Sequence, residues 1–209
     1  RRLFEAGLSD VDRIDRVLLV GIGTGADLPF LGDLSHSVSP NRETDTTSTS
    51  ACRIIGIDVS RPMLRRARQR AAQLNMDLTA VEADAGRLPV ADGSCDIIVL
   101  TLILSVVTDP QAVLREAVRM LKPAGRLLVL DKFLPENQPP SCLRTLLNLV
   151  TRPFGTDINR RWSEMTARVP VAIRSDEEVG WGGSLRIIIA GHSSSEPDTP
   201  PAEPHSLPV

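Results

Sequence analysis

Val17-Leu18-Leu19-Val20-Gly21-Ile22-Gly23-Thr24-Gly25 decides the fold. Four apolar residues, two of them β-branched, run directly into glycine at every second position. The apolar run predicts a buried strand over 16–20. The alternating glycines predict a tight turn with no Cβ atoms in the way, so that a ligand can approach the backbone N–H groups and the start of the next helix. By itself the motif is weak, because several nucleotide-binding families share such turns. Its weight comes from what flanks it.

Upstream, Leu3, Phe4 and Leu8 fall on one face of a helix within 1–15. Downstream, a short helix carries Pro29 near its first turns. Residues 33–50 then change character: nine of the eighteen are Ser or Thr, with no apolar periodicity, which predicts a flexible, disordered insertion. A second strand follows over 53–58. Ser60 is placed as an N-cap with Pro62 in the first turn. The helix behind it has Met63, Leu64, Ala67, Ala71 and Leu74 on one stripe, with Arg65, Arg66, Arg68 and Arg70 mostly outside it.

A third strand is expected over 78–82, a turn at Asp92-Gly93 and a fully buried strand over 96–101. Asp109-Pro110 caps a helix that runs to Leu121 with Val113, Leu114, Ala117, Val118 and Leu121 facing inward. Lys122-Pro123-Ala124-Gly125 turns the chain into a strand over 126–131. Residues 134–168 read as a longer, mostly helical connection. Two further strands, 169–174 and 184–190, are joined by Gly180-Trp181-Gly182-Gly183. After Gly191 the chain is proline-rich and predicted disordered. The organisation is thus one domain over 1–190 and a tail over 191–209. Strands alternating with helices across short connections give an α/β domain with a mainly parallel sheet covered on both faces.

Length and composition fit that reading. A chain of 209 residues, 42% hydrophobic and 24% charged, suits one soluble domain with a substantial core. A net charge of -2 argues against a nucleic-acid-binding surface spread over the domain. Cys52, Cys95 and Cys142 show no C-x-x-C pairing, so neither a disulfide framework nor a metal site is indicated, and a reducing, cytoplasmic setting is expected. No apolar stretch reaches the roughly 18 residues of a membrane span, and no signal peptide is visible. The chain starts at Arg1-Arg2 without methionine, so an incomplete N-terminus is expected. His36, His192 and His205 lie in or beside segments predicted disordered and are weak candidates for a catalytic base or ligand.

In an open doubly wound sheet the ligand sits beyond the carboxyl ends of the strands, where strand order reverses. Three features fall there. The glycine turn is the first. Asp58, ending the second strand, is placed to accept from both hydroxyls of a ribose. It stands 37 positions after Gly21, against a usual separation of about 20; taking out the eighteen residues 33–50 leaves 19. Asp84 with Ala85 after the third strand is the third: the carboxylate accepts from an exocyclic amine while the next N–H serves a ring nitrogen, a pair that reads adenine. Asp58 would serve an NAD ribose equally well, so an NAD-dependent oxidoreductase stays open, as does a degenerate, non-catalytic binding domain.

Val17 to Leu31, Ile55-Gly56-Ile57-Asp58-Val59-Ser60 with Pro62-Met63-Leu64, Glu82-Ala83-Asp84 with Leu88-Pro89, Asp92-Gly93-Ser94-Cys95-Asp96, and Leu121-Lys122-Pro123-Ala124-Gly125-Arg126-Leu127 occur in succession. Together they resemble the motifs of class I S-adenosylmethionine-dependent methyltransferases, over roughly residues 16–133. Leu102-Ile103-Leu104-Ser105-Val106-Val107 with Asp109-Pro110, and Asp131-Lys132-Phe133, lean toward the small-molecule and lipid enzymes of ubiquinone/menaquinone and bacterial phosphatidylethanolamine methylation. The resemblance implies a Rossmann-like, doubly wound, mainly parallel seven-stranded sheet with an antiparallel edge strand and helices on both faces. It implies S-adenosylmethionine as cofactor and a small-molecule or lipid acceptor. It places Gly21, Gly23 and Gly25 against the methionine and ribose, Asp58 on the ribose, Val59 and Met63 flanking the adenine, Asp84 and Ala85 on its edge, and Thr101 and Leu102 near the sulfonium. It identifies no catalytic base. The family's usual acidic residue two positions before the first glycine is Leu19 here. In 134–168, Leu143, Leu146, Leu147, Leu149 and Val150 stand beside Arg144, Arg152, Arg160, Arg161 and Arg168. That composition admits helices packed on the sheet with arginines in solvent, or a cap that meets an apolar substrate or an anionic membrane surface.

Overall fold

The computed structural model describes residues 1–9, 11, 13–37, 52–134, 160–179 and 185–193. Its centre is one seven-stranded sheet in the order β3-β2-β1-β4-β5-β7-β6. The strands are β1 Arg16–Val20, β2 Arg53–Asp58, β3 Leu78–Glu82, β4 Cys95–Thr101, β5 Leu121–Lys132, β6 Val171–Glu178 and β7 Leu185–His192. β1 to β5 pair in parallel, whereas β7 pairs antiparallel with both β5 and β6. The antiparallel character therefore sits at one edge, with β7 one place in and the charged, largely exposed β6 outermost. Order reverses between β1 and β4, which opens the crevice at their carboxyl ends.

Alternate residues of each central strand divide between two cores, as a pleat covered on both faces requires. Leu18, Val20, Ile57, Ile98, Leu100, Leu127, Val129 and Ile188 face α4 (Pro110–Met120) and α5 (Trp162–Thr166). Val17, Leu19, Ile54, Ile97, Val99, Leu128 and Ile189 face α1 (Arg2–Leu8) and α3 (Arg61–Gln73). Leu3, Phe4 and Leu8 are the buried side of α1, and Phe4 stacks on Phe30 of α2 (Leu28–Ser37) at 6.1 Å between ring centroids.

Several expectations need correction. α2 continues to Ser37, so the first five residues of the stretch 33–50 are helical; 38–51 lies outside the described residues. Ser60 holds the N-cap position of α3, but its hydroxyl caps nothing; its N–H is held by Asp58 instead. On the same helix Leu64, Ala67 and Ala71 are buried, while Met63 and Leu74, at the margins of the stripe, are about two-fifths exposed. β7 runs through Gly191 to His192, whose ring nitrogen Nε2 lies 3.0 Å from the Leu121 carbonyl oxygen, so the tail starts later than predicted. Asp96 lies in β4, within the strand expected over 96–101. Its carboxylate accepts the Asp15 and Arg16 N–H groups and pairs with Lys122 at 2.7 Å. Lys122 to Gly125 form a bulge inside β5: Cys95 pairs with Leu121 and Ile97 with Arg126.

Asp109 caps α4 as expected, accepting from the Ala112 N–H at 2.9 Å. Of the connection 134–168 only Leu134 and 160–168 are described. There Arg160 donates to the Leu104 carbonyl and Arg161 pairs with Glu164, so these two arginines are engaged within the protein. Leu143, Leu146, Leu147, Leu149, Val150, Arg144, Arg152, Cys142, Gly180-Trp181-Gly182-Gly183 and His205 lie outside the described residues. Among the described residues no helix is long and apolar enough to cross a membrane.

Candidate functional site

A cleft of about 650 Å³ opens at the carboxyl ends of β1, β2, β3 and β4, at the reversal of strand order. That is within the range of small-ligand sites. Gly21, Asp58, Val59, Asp84, Ala85, Thr101 and Leu102 line it together, although they come from four strands. Gly23, Gly25 and Met63 lie beside it and not on its wall.

The three glycines do different work. Gly21, at φ +71°, has Ile103 packed so closely that an added Cβ would lie 2.6 Å from the Ile103 Cδ1 atom. Gly23 donates its N–H to Asp58 Oδ2 at 2.8 Å. Gly25 serves packing: at φ +76°, a Cβ would stand 2.7 Å from Leu28 and 3.2 Å from the backbone of Ala67, so its absence lets α3 close on the turn. Leu19, two positions before Gly21, is buried in the α1–α3 core, away from the cleft.

Asp58 is oriented before any ligand arrives. Oδ2 takes the Gly23 N–H and Oδ1 takes the Ser60 N–H at 2.9 Å. A carboxylate has about four acceptor positions, so each oxygen keeps one for a vicinal diol. Asp84 accepts from the Gly86 N–H through Oδ1 at 2.8 Å, which leaves Oδ2 at the exposed rim for an amine donor. Between these carboxylates, Val59, Leu102 and Val106 present bare apolar surface, 67%, 45% and 48% exposed. Thr101 Oγ1 is enclosed and has no hydrogen-bond partner among the described residues. An enclosed hydroxyl of this kind costs about 1–3 kcal/mol unless a ligand satisfies it.

Motif reasoning missed the far wall. Ile103, Val106, Val107, Asp109, Ala112 and Val113 complete it. The available signal was the apolar run that continues past the end of β4, too long for the strand alone. Arg119 fastens the neighbouring loop. It donates to both oxygens of Glu116 at 2.8 Å and to the carbonyls of Val90 and Leu88, and it pairs with Asp92; Glu116 in turn accepts from the Leu88 N–H at 2.8 Å. The hydrogen bond from Arg119 holds the Glu116 carboxyl below its usual range.

A depressed carboxyl pKa stabilises the fold above the unfolded value and loses that effect as pH falls through the folded one. Glu116→Gln is therefore expected to lose about 1–3 kcal/mol of stability at neutral pH, the range for a hydrogen bond to a charged group. The gap from the parent should close in the acid range below about pH 4. Urea denaturation at several pH values checks it; a gap independent of pH would show that the ionised pair is not the cause.

Burial pushes the Cys52 thiol up to about 11 and raises that of Cys95, so neither is a thiolate nucleophile at neutral pH. Among the described residues no group of three His, Cys, Asp or Glu side chains could hold a metal ion.

Residues 18–129, more than half of the chain, match the family described as Methyltransferase domain. The chain belongs to it. Phosphatidylethanolamine N-methyltransferase of Cereibacter sphaeroides is 29% identical over 175 residues, 83% of this chain and 78% of that protein. Ubiquinone/menaquinone biosynthesis C-methyltransferase UbiE of Pseudomonas fluorescens (strain Pf0-1) is 34% identical over 136 residues, 64% of this chain and 48% of that one. The chain thus spans about half the length of the UbiE relatives it matches. Among solved structures, the (4+2)-cyclase SpnF superposes with a TM-score of 0.69 at 18% identity, covering 91% of this chain and 79% of that one. This likeness speaks to fold alone, and a cyclase on the same frame shows that fold does not set the reaction. Neither an oxidoreductase nor a non-catalytic domain finds support among these relatives.

The cleft of this methyltransferase-domain chain fits S-adenosylmethionine on its own chemistry. Asp58 suits a ribose diol, Asp84 an exocyclic amine, and the bare Val59, Leu102 and Val106 a planar ring.

Proposed function

We propose that the chain transfers the methyl group of S-adenosylmethionine to a small-molecule or lipid acceptor. The observation that carries this reading is the convergence of Asp58, Asp84 and Ala85 on one cleft beside the glycine turn. The relative covered over most of its length, a phosphatidylethanolamine N-methyltransferase, favours an acceptor with an amine headgroup. Peripheral contact with a membrane surface and a cytoplasmic setting belong to the same proposal.

S-Adenosylmethionine supplies, when bound, a methyl carbon already activated by its sulfonium. What remains for the protein is placement and exclusion of water. Asp58, anchored by two backbone N–H groups, fixes the ribose end. Asp84 and Ala85 fix the opposite end of the adenosine, and Val59, Leu102 and Val106 cover its ring. An unprotonated amine aligned with the methyl needs no general base from the chain.

Calorimetric titration with S-adenosylhomocysteine and, separately, NAD tests the reading. Binding of the first and none of the second is expected. NAD binding without S-adenosylhomocysteine binding would overturn it.

A further inference from the structure

Asp131, near the carboxyl end of β5, is fully buried, yet it touches no atom of the proposed reaction. Its surroundings are a set of donors. Oδ1 accepts the Lys132 N–H at 2.7 Å and Oδ2 the Ser105 N–H at 3.2 Å. Burial pushes the Asp131 carboxyl up, and these donors oppose the shift. Of the two residues that donate, Ser105 belongs to the loop that leaves β4.

That loop has two sides. Leu102, Ile103, Val106 and Val107 form the cleft wall, and Ile103 seals against Gly21. Leu102 sits at φ +54°, a left-handed conformation that a leucine keeps only when its surroundings over-determine it. Three restraints act from behind. The Leu102 N–H donates to the Leu130 carbonyl at 2.8 Å, Arg160 donates to the Leu104 carbonyl, and Asp131 accepts the Ser105 N–H.

We propose that Asp131 is a positioning residue for the methyl-donor site: its buried carboxylate, by accepting the Ser105 N–H, sets the 102–107 wall in the shape that closes on the ligand. The inference rests on the function proposed above for its choice of ligand. A carboxylate suits the place because every group aimed at it is a donor. Asparagine has nearly the same shape but turns one acceptor end into an NH₂, so that donors face a donor and a buried N–H loses its acceptor.

The test compares Asp131→Asn with the parent chain and with Ile188→Val. Ile188 lies in the β7 core opposite Val129 and supplies a destabilised control outside the loop and without a bond to Asp131. S-Adenosylhomocysteine affinity is read by calorimetry, amide exchange across 102–107 by mass spectrometry, and folding by circular dichroism. Asp131→Asn is expected to fold, to bind about tenfold more weakly and to exchange faster in that loop. The control should match the parent in both readouts after allowance for its melting temperature. Asp131→Ala, which removes the acceptor and puts no new polar group in the core, should show the same effects and carries the test if Asp131→Asn does not fold. Parent-like affinity and exchange in the folded variant, or an equal loss in the control, would overturn the proposal. A parent chain that binds no S-adenosylhomocysteine would instead sink the proposed function, and loop exchange would still decide the role of Asp131.

Discussion

Asp58→Ala is expected to weaken S-adenosylhomocysteine binding by about 1–3 kcal/mol, on the order of ten- to a hundredfold in Kd. The carboxylate does two things at once. It offers one free acceptor position on each oxygen to a ribose diol, and it ties β2 to the glycine turn through Gly23 and to the start of α3 through Ser60. Alanine removes both, so the ligand hydroxyls lose charged acceptors while the Gly23 N–H loses its partner. Asp58→Asn separates the two effects: it keeps an acceptor for one N–H but not the charge, and should fall between alanine and the parent. Calorimetry gives the affinities and thermal unfolding the structural share. Unchanged affinity in Asp58→Ala would remove Asp58 from the site.

Leu114→Ala should cost about 2–5 kcal/mol of folding stability, the usual range for a leucine truncated in a packed core. Leu114 has no exposed surface and stands among Leu100, Val118, Met120 and Val129 where α4 lies on the sheet. The first turn of the same helix supplies Ala112 and Val113 to the cleft. A cavity under α4 therefore loosens the cleft floor as well as the core. At about 2–4 °C per kcal/mol for a chain of this size, the melting temperature should drop by several degrees or more. Urea denaturation measures the free energy directly. A loss below about 1 kcal/mol would mean that α4 is not held by this contact.

The two expectations differ in how early they could be written. Asp58 was legible because its signals are local: an apolar run of strand formers, a polar residue where the run stops, and a helix cap two positions later. Asp84 was legible for the same reason. Their meeting in one cleft followed from the rule that parallel strands present their carboxyl ends on one side. Thr101 could be placed at the end of β4, but its unsatisfied hydroxyl could not, since that depends on what packs around it. Gly25 was read as a ligand contact because glycine is silent about its neighbour. Only Leu28 and Ala67 of the folded chain show that its missing Cβ makes room for helices.

Misreadings at the borders have equally physical origins. Residues 33–37 look like loop by composition but continue α2, because helix propensity is a weak prior once a helix has begun. Asp96 could be placed in its strand but not given its partners, because Asp15, Arg16 and Lys122 come from distant parts of the chain.

From its order of residues alone, this protein determined its seven strands, the pairing of apolar runs with helices, the glycine turn and the two carboxylates at strand ends. All of these arise from neighbours a few positions apart, through periodicity, capping and turn chemistry. The tertiary structure alone decided which glycine faces the cleft, that the 102–107 loop is its far wall, and that the buried Asp131 stands behind that wall. Those outcomes rest on contacts such as Asp58 with Gly23 and Asp131 with Ser105, between residues 35 and 26 positions apart. At such separations only the packing of the whole sheet determines which donor meets which acceptor.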